Sequence, residues 1–241
     1  MITDILFKFL LLAFSFSILC SCWDIKTGKP VHSVAPGVWR GNFMLNDQSV
    51  PVMFEVSDHK LMNLTFKTGQ NELRADSLRM FGDTLFAHFY KTNTMLKVVC
   101  QIDQMDGFLY DNSGDEYPIA FAGQNAILHR FPAVRNKPLA NLTGDWEMKA
   151  NVSKDSTIYA RVRFVAKENY IEGVLFMNDE FSIALEGTVQ NDLLYLSGFD
   201  GKNVCLLNAT ILNNKTLSKG SLILNNKNFF WEATASAGLT D

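Results

Sequence analysis

Past Leu19 the chain has no apolar run close to the ~20 residues that a membrane-crossing helix requires, and no stretch with the 3.6-residue periodicity of an amphipathic helix. Charge of one sign is also missing. The 22 basic and 25 acidic residues leave a net charge of −3 with no basic or acidic block, and Arg161-Val162-Arg163 is an alternating strand face. Nucleic-acid binding needs a clustered basic surface and is not expected. The four histidines, His32, His59, His88 and His129, show neither His-x-His nor His-Glu-x-x-His spacing, so the sequence offers no metal site. There is no Cys-x-x-Cys pair, nucleophile elbow, phosphate loop or dinucleotide fingerprint, and no cofactor is expected. Ser113-Gly114-Asp115-Glu116 and Asn178-Asp179-Glu180 gather carboxylates, but as neighbours in loops and not as a pair facing across a cleft; they read as solvated turns. No catalytic residue emerges from this reading.

What is present starts at the N-terminus. Lys8 precedes an apolar run from Phe9 to Leu19, followed by Leu19-Cys20-Ser21-Cys22. The run has the length of a signal-peptide core, and Leu, a small residue, Ser and Cys form the pattern of a bacterial lipobox. Residues 1–21 are therefore expected to be a lipoprotein signal peptide, Cys22 the lipid attachment site and 22–35 a tether. Cys20 fits less well, because the bulky Ile18 and Leu19 precede it. The expected setting is the cell envelope, lipid-anchored and facing the periplasm, with the outer membrane favoured because Asp24 is at the third mature position and not the second. Five Asn-x-Ser/Thr triplets, beginning at Asn63, Asn141, Asn151, Asn208 and Asn214, would be glycan acceptors only in a eukaryotic route, against which the lipobox argues. Cys100 and Cys205 remain, each in an apolar segment with no second cysteine nearby. They read as buried core thiols, with a structural or regulatory bridge between them as the alternative.

Beyond residue 35 the chain repeats itself. Gly37-Val38-Trp39 recurs as Gly144-Asp145-Trp146, and Gly82-Asp83-Thr84-Leu85 recurs as Asn191-Asp192-Leu193-Leu194 at nearly the same offset, with Cys100 placed opposite Cys205 by a short gap. Both copies read as strands. Ile158, Ala160, Val162, Phe164 and Ala166 alternate with Tyr159, Arg161, Arg163 and Val165, the period of a half-buried strand. Comparable runs occur at 50–56, 61–66, 84–90, 95–102, 181–189, 193–197 and 229–235. Turn formers separate them, among them Asn46-Asp47, Asp106-Gly107, Asn191-Asp192, Asp200-Gly201 and Asn225-Asn226. The expectation is an all-β protein of two similar antiparallel meanders, closed as small barrels or sandwiches: module 1 over 36–131, a proline-containing linker over 132–140, module 2 over 141–237 and a tail over 238–241. Trp39 and Trp146 should be equivalent buried plugs.

Two resemblances refine this. Gly-x-Trp opening a first strand resembles lipocalins, which implies a barrel with Trp at its closed end and, as one alternative, a carrier of a small apolar ligand. Phe181-Ser182-Ile183-Ala184-Leu185-Glu186-Gly187, Leu193 to Gly201, Thr216-Leu217-Ser218-Lys219-Gly220 and Trp231-Glu232-Ala233 resemble the region preceding the thioredoxin domain in TlpA-like thiol–disulfide oxidoreductase lipoproteins. Gly37-Val38-Trp39-Arg40-Gly41 and Pro118-Ile119-Ala120-Phe121 resemble the start and end of that region's first module. This chain has Asn226-Lys227-Asn228 and Lys202-Asn203 where that family carries histidines, and no position matches its catalytic cysteines. The resemblance implies a non-catalytic binding or scaffolding lipoprotein whose partners are the membrane, through its lipid, and a thioredoxin-fold or other envelope protein. The alternative from another class is a truncated or split thiol–disulfide oxidoreductase.

Overall fold

A computed structural model describes residues 34–57, 62–114, 117–132, 138–153, 156–177 and 181–236. Cys20, Cys22, His32, His59, Asp115, Glu116 and Asn178 to Glu180 lie outside the described residues. The protein is all-β, as two antiparallel meanders. The first contains β1 (Gly37–Leu45), β2 (Gln48–Ser57), β3 (Asn63–Thr68), β4 (Asn71–Arg74), β5 (Ser77–Phe81), β6 (Thr84–Phe89), β7 (Thr94–Cys100), β8 (Gln104–Asp111) and β9 (Ile119–Asn125). They pair in the order β4-β3-β2-β1-β9-β8-β7-β6-β5. The second contains β10 (Gly144–Ser153), β11 (Ser156–Lys167), β12 (Tyr170–Phe176), β13 (Ser182–Gln190), β14 (Leu193–Phe199), β15 (Val204–Asn213), β16 (Thr216–Leu224) and β17 (Lys227–Ala235), closed into an eight-stranded barrel.

Alternation explains the strands. In β11 the odd-face residues Tyr159, Arg161, Arg163 and Val165 are exposed while Val162 and Phe164 are buried. Asn46 and Asp47 take φ of 48° and 62°, the paired positive values that a two-residue hairpin turn requires. Asp106-Gly107, expected as a turn, instead lies inside β8. Glycine is needed there because a Cβ would come within 2.0 Å of the Lys97 carbonyl oxygen on β7, so the residue marks close strand approach and not a reversal.

The two meanders share a set of local geometries. Trp39 and Trp146 are fully buried, and each indole N–H donates 2.9 Å to the carbonyl four residues earlier, Ala35 and Leu142. Gly37 (φ 113°) and Gly144 (φ 133°) supply the same positive-φ entry two residues before each Trp. Single backbone bonds recur too: Ala126 N to Val38 O matches Ser236 N to Asp145 O, and Cys100 N to Asp83 O matches Ile211 N to Asp192 O. The last match corrects the sequence alignment. Cys100 is the counterpart of Ile211, not of Cys205. Cys205 pairs with Gly198 as Thr94 pairs with Phe89, which makes Thr94 its equivalent. Both thiols are free and buried.

The copies differ at one strand. In β13, Ile183, Leu185, Gly187 and Val189 point inward without interruption, and the strand pairs with β12 and then β14. Its counterpart in the first meander is broken into β4 and β5. There Leu73 and Ala75 meet the core, then Leu78 and Met80, a step of three that leaves Asp76 as an extra, exposed residue. Ala75 N still reaches Leu64 O (2.9 Å) on β3 and Asp76 N reaches His88 O (2.8 Å) on β6. Beyond that point the strands diverge around a cleft of about 510 Å³ lined by residues that include Met62, Asn63, Arg74 and Leu78. The result is a curled sheet with two free edges, β4 and β5.

Candidate functional site at the seam between the modules

The most elaborate polar and aromatic assembly among the described residues lies where the second meander covers the end of the first opposite Trp39. Strand alternation places Tyr195, Ser197 and Phe199 of β14, Val204 and Leu206 of β15 and Ile223 of β16 on the outside of the barrel. Phe199, Val204, Leu206 and Ile223 are nevertheless buried, as members of the first meander's core. Phe199 acts as a cork. Its ring centroid lies 4.9 Å from Phe43, 4.8 Å from Phe66 and 5.9 Å from Phe89, in tilted and edge-on geometries that suit aromatic quadrupoles.

Around the cork runs a polar clamp centred on Arg130. Its side chain is only 3% exposed. One terminal nitrogen donates to Ser197 Oγ (3.1 Å), Ser197 O (3.2 Å) and Pro51 O (3.4 Å); the other donates to Lys67 O (2.5 Å) and Glu186 Oε2 (3.1 Å). Gly69 N, in the β3–β4 turn, donates to the same Glu186 oxygen at 2.7 Å. Ser197 Oγ donates to Pro51 O, Thr94 Oγ1 to Gly201 O, and Asn46 Nδ2 to Asn228 Oδ1 at 3.0 Å. Lys202 Nζ pairs with Asp111 Oδ2 at 2.9 Å. A buried guanidinium is tolerated only with this degree of pairing, because desolvation of an unpaired charge costs several kcal/mol.

The electrostatics follow from burial. Arg130 is pushed below its ordinary value by desolvation, and Glu186 acts in the opposite direction. Asp111 is lowered to about 2, first by its bond with Lys202 and then by those from Ser113. Tyr170 flanks a cavity of about 310 Å³ whose lining also includes His129, Arg130, Phe131, Glu186 and Thr188. Its hydroxyl donates to Glu172 Oε1 at 3.1 Å, and burial followed by the charges of Glu186 and Glu172 raises its pKa, so it stays a phenol. Chemically the seam positions and locks. It holds a fixed cation against carbonyls and one carboxylate, and it places no activated nucleophile beside a base.

The residues singled out in the sequence fall elsewhere. Cys100 is in the first core, pushed up to about 11 by burial, and Cys205 is in the second, raised further for the same reason. His88 lies on the outer face of β6, its ring 6.1 Å from Tyr90, and His129 is exposed at the cavity rim. Among the described residues no group of three or more His, Cys, Asp or Glu side chains could hold a metal ion, and no helix is long and apolar enough to cross a membrane. Arg130, Glu186 and Phe199 were not anticipated. The available signal was Arg130 itself, a lone cation between Leu128 and Phe131. Comparison of the chain with models of known protein families and with curated proteins finds no match.

Proposed function

We propose that this protein is a lipid-anchored envelope module that binds or scaffolds and does not catalyse, akin to the region preceding the thioredoxin domain of TlpA-like lipoproteins. The observation that carries the reading is the seam. Arg130, a polar group with many bonds among the described residues, is used to fix one β meander onto another, which is the investment expected of a rigid spacer or platform. The oxidoreductase alternative fares worse on physical grounds. Thiol exchange needs an accessible thiolate, whereas Cys100 and Cys205 are buried in two different cores with raised pKa values. Insulin reduction by the purified protein, lost in Cys100→Ser or Cys205→Ser, would overturn this reading; no reduction is expected. Anchoring is tested separately by radioactive fatty-acid labelling, which should disappear in Cys22→Ala and persist in Cys20→Ala.

A second reading, a carrier of a small apolar ligand, draws on the closed eight-stranded barrel with Trp146 at one end. Eight strands give an interior that side chains can fill or that can hold one small ligand. Trp146, Phe164, Met148, Trp231 and a shell of aliphatic residues occupy this one, which favours the scaffold. Quenching of tryptophan emission by a fatty acid at stoichiometric concentration would restore the carrier reading.

A further inference from the structure

We propose that the free edge of β5 is a docking site for an extended segment of a partner protein, apolar on one face and acidic on the other, which adds a strand to the first meander. Such a partner presupposes the binding reading above. The barrel shows what the equivalent edge holds. There β12 lies along β13, with Tyr170, Ile171 and Glu172 opposite Thr188, Gly187 and Glu186. Ile171 points inward and is buried, while Glu172 points outward. Register makes Met62 and Asn63 the counterparts of Ile171 and Glu172, and Ser77 and Leu78 those of Glu186 and Gly187. In the first meander both pairs line the cleft of about 510 Å³ without pairing across it, and among the described residues β5 pairs with β6 alone.

The backbone of β5 is set to accept such a strand. Gly82 and Asp83 form a two-residue hairpin turn, with Gly82 at φ 64°, so Phe81 and Thr84 are its first bonded pair. Alternation from that pair aims the N–H and C=O groups of Leu78 and Met80 away from β6, at the open edge. Their side chains point inward and are half-buried against the first core, so apolar residues of an added strand would complete their cover. The outer face carries cations. Arg74 lines the cleft and Arg79 follows on β5; both are exposed, and neither has a carboxylate partner among the described residues. The nearby acids are engaged. Asp76 accepts from Tyr90 N at 2.7 Å, and Glu55 and Glu72 flank Lys67 at 2.7 and 3.8 Å. Successive residues of a strand alternate between two faces, so an occupant with apolar residues inward and carboxylates outward meets Leu78 and Met80 with one set and the two arginines with the other. Main-chain bonds along the edge then give affinity, and the alternate side chains give specificity.

The test uses the full chain in detergent micelles and a fluorescein-labelled peptide, Glu-Val-Glu-Ile-Glu-Val-Glu, with blocked ends. Anisotropy should show saturable binding. A peptide of the same composition with its alternation scrambled, or one with lysine in place of glutamate, should not reproduce it. Hydrogen exchange should show the amides of Leu78 and Met80 gaining protection in the complex. Arg74→Glu with Arg79→Glu should weaken binding at least tenfold and admit the lysine peptide. Lys149→Glu with Arg161→Glu, exposed on the closed barrel, should leave binding unchanged. Should the Arg74 and Arg79 pair fail to fold, Leu78→Pro decides. It removes one edge donor that β6 does not use, which an edge strand tolerates, and should also weaken binding at least tenfold. No binding, equal binding of the scrambled peptide, or protection gained only outside β5 overturns the proposal. Protection of β5 that rises with protein concentration in the absence of peptide would assign the edge to a second copy and also overturn it. Insulin reduction, by contrast, would strike the non-catalytic reading and leave the peptide result as it stands.

Discussion

The two meanders share their opening geometry and differ in completeness. The barrel of β10 to β17 is closed, and its core consists of its own residues, from Ala140 to Ala233. The sheet of β1 to β9 is split between β4 and β5, and its core includes Phe199, Val204, Leu206 and Ile223 from its neighbour. Dependence therefore runs one way: the second module completes the first. The difference shows how a single extra residue, Asp76, can be absorbed. It breaks one strand, and the docked partner supplies apolar area elsewhere in the same core.

That asymmetry sets the predictions. The largest effects should come from the paired plugs. Trp39→Ala and Trp146→Ala should each cost about 3–5 kcal/mol, the usual range for emptying a buried aromatic site. Their consequences should differ in extent. Loss of Trp146 should loosen both modules, whereas loss of Trp39 should leave the barrel folded, as read by near-ultraviolet circular dichroism of the remaining aromatics during denaturant unfolding. Arg130→Met comes next. It leaves Glu186 partly buried without its cation, a change that typically costs ~3–5 kcal/mol. The lower end is expected, since Gly69 N still donates to that carboxylate. Chemical denaturation should then resolve two transitions in place of one.

The Asp111–Lys202 pair gives a smaller, pH-dependent effect. Asp111 is depressed in the folded state to about 2 from an ordinary 3.8. Its contribution is therefore complete above about pH 4 and is lost as pH falls through the folded value. Lys202 is more than a third exposed, so solvent screening reduces the effect to on the order of 1 kcal/mol. In Lys202→Met stability at neutral pH should fall by on the order of 1 kcal/mol, and the difference from wild type should shrink to nothing as pH falls towards 2. The smallest contrast concerns the thiols. Neither should react with Ellman's reagent at pH 8 in the native state, and on partial destabilisation Cys100 in the split sheet should react before Cys205 in the closed barrel.

Much of this fold could be read from residue order. The alternation in 158–166 is a strand with the expected faces, and the repeated Gly-x-Trp is a repeated geometry down to its indole hydrogen bond. The split strand was not legible, because 71–81 lacks a clean period and an inserted residue reverses face without any marker in composition. Cys100 and Cys205 were misaligned because both follow Val in apolar strands, and only hydrogen-bond register distinguishes them. The seam was invisible for another reason. Phe199 lies beyond the 193–197 run read as a strand; it extends β14 on the outward face, and only tertiary docking buries it.

Hydrogen exchange measured by mass spectrometry on wild type and Phe199→Ala tests the one-way dependence most directly. The account predicts that amides of β1 to β9 lose protection in the variant, most strongly in β1, β3 and β6 around the vacated ring, while those of β10 to β17 keep theirs. Equal loss in both modules, or a loss confined to the barrel, would contradict it.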